Sequence, residues 1–386
     1  MKIRNLVGFL LVGSVATLSI GCQNFPKENQ EQEQSMRIDQ EAFASIIDGK
    51  EIELYTLSND LGTKVYLTNY GARVVGLEVS DKEGNPVDVV LGFNKADDYN
   101  NPKEPYYGAI VGPYGNRIAN ASFALDDTTY ELVANDGENT LHGGDKGLHF
   151  IGWDAEQKDN RVTFTYLHAD GQEGFPGNVE MKVTYTLEDD NSLVIDYEAE
   201  TDKNTVLNLT NHAYFNLNGE GSGSIENHIL QIFAEQYTPV NNNLIPTGEL
   251  EDLAGTPLDF SSPKTIGQDI KQDHPQLEYG KGYDHNFVLS GKKVGELNHA
   301  ARLIGDQSGI VMDVYTKEPG VQFYSGNFMN EHTVLKSGAK DSFRTALCLE
   351  TQHYPDSPNH AEFPSTELKV GDKYRTTTVY AFSTEQ

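Results

Sequence analysis

From Ile52 onward, apolar and polar positions mostly alternate with a period of two. The runs Val65-Tyr66-Leu67-Thr68, Val162-Thr163-Phe164-Thr165-Tyr166 and Val183-Thr184-Tyr185-Thr186-Leu187 each send every second side chain to one face, as half-buried strands do. Turn chemistry separates such runs. Asp189-Asp190-Asn191 stands before the run Leu193-Val194-Ile195-Asp196-Tyr197, and Gly305-Asp306-Gln307-Ser308-Gly309 stands between two later runs of the same type, so both predict hairpins. The three-and-four spacing of long amphipathic helices is scarce, whereas strand-forming Tyr (20) and Phe (17) are plentiful and 36 Gly supply turns. The expected fold is all-β, a large antiparallel β-sandwich.

The first residues break this pattern. Lys2 and Arg4 precede a mostly apolar stretch from Leu6 to Ile20, too short for a typical spanning helix and suited to an export signal. Residues 23–39 are rich in Gln, Glu, Asn, Lys and Ser and have little to bury, so they suit a solvated tether. No repeat of fixed period and no second linker interrupts the chain beyond residue 40. The expected organisation is a signal peptide at 1–21, a tether at 22–39 and one domain at 40–386. Leu18-Ser19-Ile20-Gly21-Cys22 resembles a bacterial lipoprotein signal, although Ser19 stands where that pattern usually has Leu. The resemblance implies a lipid on Cys22 that holds the protein to a membrane of the bacterial cell envelope, at the periplasm or outer membrane. Gln23 after the Cys favours the outer membrane.

Composition narrows the partners. The formal charge of -29 becomes two units more negative when Lys2 and Arg4 leave with the signal. Such a surface repels phosphate backbones, so no nucleic-acid partner is expected. With Cys22 acylated, Cys348 has no partner in the chain, and its run Ala346-Leu347-Cys348-Leu349 predicts a buried inert thiol.

Several familiar motifs are absent or empty. The chain has no HExxH, CxxC or GxSxG. Gly219-Glu220-Gly221-Ser222-Gly223 lacks the strand, helix and Lys of a phosphate cradle and predicts a flexible surface turn. His142 and His149 lie seven residues apart, without the dense ligand spacing of a catalytic metal site, so no metal is expected in the chemistry; a structural Ca2+ on so acidic a surface stays open. Isolated His228 and His299 read as satisfied core histidines. There remains a set of polar residues placed in apolar or aromatic segments, where unpaired burial is costly, so they should converge on one another or on a ligand.

These segments include Gly115-Asn116-Arg117-Ile118-Ala119, Leu141-His142-Gly143-Gly144, Leu209-Thr210-Asn211-His212 and Gly282-Tyr283-Asp284-His285. They continue with Pro319-Gly320-Val321-Gln322-Phe323-Tyr324 and Leu349-Glu350-Thr351-Gln352-His353. In this order and spacing, from about Leu54 to Phe382, the chain resembles the aldose 1-epimerase (galactose mutarotase) family. One stretch departs: the family commonly has Gly-Arg-Tyr where this chain has Gly112-Pro113-Tyr114.

The resemblance implies the galactose mutarotase-like supersandwich and an isomerase that interconverts the α and β anomers of free hexoses such as glucose and galactose. Opening the pyranose takes a proton from the C1 hydroxyl and gives one to the ring oxygen, so a base and an acid on opposite sides of the sugar are expected. By carry-over, Glu350 is the base and His212 the acid; Arg117, His142, Asp284 and Gln322 bind the sugar, with Asn116 a further contact. Phe175 and Tyr324 are candidate apolar platforms. No cofactor is demanded, the partner is a free aldohexose, and a monomer is expected. The competing readings are a sugar-binding module of the same fold, a hexose-phosphate epimerase, and a glycoside hydrolase using Glu350 and Asp284.

Overall fold

The computed structural model describes residue 38 and residues 40–101, 106–291 and 293–385. The expected signal peptide, Cys22 and all of the expected tether except Ile38 lie outside the described residues. Ile38 is already buried, beside Phe43 and Leu54, so ordered packing starts two residues before the predicted Gln40.

Antiparallel sheets dominate the described residues, whose single α-helix is the six-residue Pro275–Gly280. The largest sheet has ten strands. At its centre Val179–Leu187 pairs with Ser192–Thr201, which pairs in turn with Tyr374–Thr384 and then Ile310–Thr316 and Leu297–Ile304. Both predicted hairpins are there: Leu187 pairs with Leu193 across Asp189-Asp190-Asn191, and Ile304 pairs with Val311 across residues 305–309. Val183, Tyr185 and Leu187 are buried while Thr184 and Thr186 are half-buried, as the period of two requires.

A five-stranded sheet faces this one, in the order Glu251–Asp252, Ala234–Tyr237, Asp284–Leu289, Gly320–Tyr324 and Cys348–Gln352. Its inward side chains Phe287, Val321, Phe323 and Leu349 join Tyr185, Ile195, Tyr197 and Tyr380 of the larger sheet in one core. Polar contacts fix the two layers: the Tyr380 hydroxyl donates to the Leu349 carbonyl at 3.2 Å, and the Thr351 and Thr378 hydroxyls meet at 2.5 Å. The strand Cys348–Gln352 is therefore rigidly backed.

The glycine-rich turn at 219–223 exposes Gly221 and Ser222, as a surface turn does, but Glu220 ties it to the body of the protein. Glu220 points inward, accepting from Gly92 N at 2.9 Å and pairing at 2.7 Å with a buried Lys336, which also lies 3.3 Å from Asp88. A buried charge is tolerated when paired in this way. Lys336 thereby anchors the segment that carries Phe328, Asn330 and His332. His228 and His299 are core histidines with partners, Leu217 N and Asp306 for the first and Asp313 for the second.

Candidate active site

Strand periodicity divides the five-stranded sheet. Phe287, Phe323 and Leu349 point into the core, so the residues between them point the other way. Across the sheet Asn286, Gln322 and Glu350 stand in register, and the next rung is Asp284, Tyr324 and Cys348. One face of three strands thus delivers a carboxylate pair, amides, a phenol and a thiol together. Close packing of this face requires Gly320, where a Cβ would stand 2.5 Å from Asn286 Oδ1.

The remaining groups come from short strands and turns. His212 follows Thr210–Asn211, which pairs with Ile110–Val111, and Asn211 pins the turn by donating to the Gly108 carbonyl and accepting from Ala213 N. Arg117–Ile118 pairs with Thr140–Leu141, which leads straight into His142. Asn116 and His142 both adopt positive φ, +66° and +51°. They hold each other: Asn116 N donates to His142 Nδ1 and His142 N to the Asn116 carbonyl, each at 3.0 Å. Gly143 must be glycine, because a Cβ would stand 1.9 Å from the Gly112 carbonyl oxygen.

These elements enclose a cavity of about 410 Å³ lined by Asn116, Arg117, His142, His212, Asp284 and Glu350, with Tyr106, Tyr214, Tyr324 and Phe328 as aromatic wall. Its size suits a small-molecule site. His212 Nε2 lies 3.6 Å from Glu350 Oε2, and His212 Nδ1 lies 3.5 Å from Cys348 Sγ. Arg117 donates from Nε to Asp136 at 2.8 Å, and Asp284 accepts from Gln322 at 2.7 Å.

Electrostatics follow from burial. Glu350 Oε2 has no hydrogen-bond partner, and burial together with the Asp284 carboxylate pushes Glu350 well above the usual carboxylate range. Burial also raises Asp284, against the pull of Arg117. It lowers His142 well below the ordinary imidazole value and takes His212 down to about 3. A buried carboxylate is thus made a stronger base and a buried imidazolium a stronger acid.

Among the described residues, the one cluster with metal-ligand spacing is His142, His212 and Glu350, whose donor atoms lie within 4.8 Å of one another. It does not fit a resident metal. His142 Nδ1 accepts a backbone N–H, so the neutral ring carries its proton on Nε2 and offers the cavity a donor rather than a lone pair. One carboxylate and two imidazoles also lack the six to eight oxygens that Ca2+ takes.

Of the seven catalytic and sugar-binding residues singled out from the sequence, six line the cavity. Gln322 does not; it lies beneath Asp284 and orients it. Asn116 spends its groups on neighbours, its Oδ1 accepting from Arg117 N at 2.9 Å. Of the two candidate platforms, Tyr324 is on the wall, but Phe175 packs 6.2 Å from Phe123 and His168, in a separate cluster. Pro113 is buried near Gly143 and is not among the residues that line the cavity. Cys348 is buried and its thiol is held far above its usual value, so it is inert as expected, yet it touches His212. Sequence reasoning missed Tyr106, Tyr214, Asp136, Phe328 and His332; each sits in a loop or irregular stretch, where aromatic or charged residues carry no periodic signal.

An antiparallel β-sandwich that holds a buried carboxylate 3.6 Å from a buried imidazole, in a cavity lined by polar and aromatic side chains, defines a site equipped for proton transfer on a small polar molecule. The aldose 1-epimerase family model matches residues 53–381. The galactose mutarotase of Bos taurus is 42% identical over 332 residues, 86% of this chain and 94% of its own length. The aldose 1-epimerase of Escherichia coli (strain K12) is 38% identical over 341 residues, 88% of this chain and 97% of its own. Among solved structures, an aldose epimerase homologue from C. elegans matches with a TM-score of 0.79 at 30% identity, over 86% of this chain and 99% of its own. A galactose 1-epimerase from Lactobacillus acidophilus NCFM matches with a TM-score of 0.76 at 28% identity, over 89% and 97%. The chain belongs to the aldose 1-epimerase family, and it is an isomerase.

Proposed function

We propose that this site opens and recloses the ring of a free aldohexose such as glucose or galactose, with Glu350 as the base and His212 as the acid. Ring opening uses the arrangement of the pair's one proton that burial disfavours, Glu350 as carboxylate and His212 as imidazolium. Glu350 takes the proton of the C1 hydroxyl, His212 Nε2 gives its proton to the ring oxygen, and the C1–ring-oxygen bond breaks to leave an aldehyde. The pair is now a carboxylic acid and a neutral imidazole. Rotation about C1–C2 turns the other aldehyde face to the C5 hydroxyl, and the same transfers in reverse close the ring as the other anomer. Burial favours the neutral pair, so the protein stabilises the half of the cycle in which the sugar is open.

The observation that carries this reading is the 3.6 Å separation of His212 Nε2 and Glu350 Oε2 on the wall of one cavity. The two oxygens they serve are bonded to the same carbon, so acid and base should converge as these do, rather than stand on opposite sides of the ring as expected from the sequence. His142 Nε2–H and the Arg117 guanidinium donate to sugar oxygens, and Asp284, oriented by Gln322, accepts from hydroxyls. The phosphosugar reading is weaker: Arg117, already paired with Asp136, shares the cavity with the two carboxylates Asp284 and Glu350. A pure binding module would have no use for a buried carboxyl whose Oε2 makes no hydrogen bond. The test is optical rotation of freshly dissolved α-galactose, whose relaxation this chain should speed and Glu350→Gln should not.

The N-terminal signal supports export and lipid attachment at Cys22, which would place mutarotation in the cell envelope, where exported hydrolases release sugars. Incorporation of labelled palmitate that is lost in Cys22→Ser would support this placement, whereas unlabelled cytoplasmic protein would contradict it.

A further inference from the structure

Proton transfer at His212 depends on where its ring plane points, because rotation about Cβ–Cγ swings Nε2 away from the sugar. Along its edge, the ring is met at Nδ1 by a thiol 3.5 Å away, a weak partner. Its faces are better defined. Tyr106 stacks on it at 5.5 Å between centroids and 24° between planes, and Tyr214 does so at 5.0 Å and 24°. Tyr106 also meets two further histidines edge-on, His142 at 4.7 Å and His149 at 4.8 Å, while His142 and His212 themselves cross at 5.1 Å and 81°. One phenol ring therefore touches three imidazoles, two of them on the cavity wall. It sits in a loop, outside the stretches singled out from the sequence.

We propose that Tyr106 is a positioning residue for the reaction, an aromatic wedge that fixes the His212 ring plane and keeps water from the imidazoles around it. This rests on the reading of His212 as the acid. The physical demand is strict, since misplacing a reacting group by about 1 Å costs on the order of 10²-fold in rate. Aromatic stacking supplies orientation without adding a competing proton donor at Nε2. Burial is the main cause of the lowered His212 value of about 3, and Tyr106 contributes part of that cover.

The test uses the full chain with Tyr106→Met, which keeps an apolar side chain and loses the plane, and Tyr106→Phe, which restores it. Polarimetric kinetics on galactose should show kcat down by ~10–100-fold in the Met variant with KM changed less than about threefold, and recovery in the Phe variant. Histidine-ring NMR should show the His212 titration moving up toward its ordinary 6.5 in the Met variant and returning in the Phe variant. A raised KM with kcat preserved would make Tyr106 a sugar platform and overturn the proposal, as would an unmoved His212 titration. Should Tyr106→Met fail to fold, Tyr214→Met removes the other stacked ring and should give the same loss confined to kcat; unchanged kcat there would overturn the proposal too. If the wild-type chain does not speed mutarotation at all, the functional reading fails, and the NMR titration still decides the wedge.

Discussion

At the scale of single residues, the proposed chemistry turns on two groups displaced in opposite directions from their ordinary values. Glu350 is raised and His212 lowered, so the pair keeps one proton from about pH 3 upward, and the two titrations belong to the pair. Activity should fall at the acid end when a second proton is added, and at the alkaline end when the last one is lost. The kcat/KM profile for galactose should therefore show no inflection at 6.5; a loss of activity as pH rises through 6.5 would mean that His212 titrates as an ordinary imidazole. Stability follows the same signs. A carboxyl whose folded value exceeds its unfolded 4.5 binds more protons folded than unfolded, so it costs stability as pH rises above 4.5. Glu350→Gln should lose about 10²–10⁴-fold in kcat. Thermal unfolding of the same variant should show a higher midpoint than wild type at pH 7 and no gain below 4.5. A lower midpoint at pH 7 would make Glu350 a structural group.

At the scale of elements, the five-stranded sheet separates chemistry from packing by alternation. Phe323 is fully buried against Phe260 at 5.5 Å and Tyr283 at 5.3 Å, whereas its neighbour Gln322 faces the site. Phe323→Ala should cost about 3–5 kcal/mol of stability, read by denaturant unfolding. Gln322→Ala should cost less, about 1–3 kcal/mol, because the buried Asp284 loses its hydrogen-bond donor, and should lower kcat/KM by about 10–100-fold. Equal losses of stability in both would contradict the division of faces. Strands and both hairpins were legible because alternation and turn residues are local signals. The inward Glu220 was not, because its partner Lys336 is 116 residues away and the glycines around it advertise only a turn. Gln322 was legible as a site residue by motif, but its place beneath Asp284 depends on the register of two strands, which no single stretch encodes. Tyr106 was not legible at all, since nothing periodic marks it.

At the scale of the whole molecule, the sandwich brings together side chains from residues 106 to 350 on one wall, in a protein whose surface carries a large net negative charge. A hexose carrying phosphate must approach both that surface and two cavity carboxylates, so galactose 6-phosphate should show kcat/KM at least ~10-fold below galactose, the gap narrowing as salt rises. Residues 38–386 form one contact unit that holds every cavity residue. The chain from residue 38 onward should therefore carry the whole activity. The most direct measurement is polarimetry of freshly dissolved α-D-glucose and α-D-galactose with this chain and with its Glu350→Gln variant. Acid and base at this site predict faster relaxation to an unchanged final rotation, abolished in the variant; relaxation at the uncatalysed rate with both sugars would contradict that assignment.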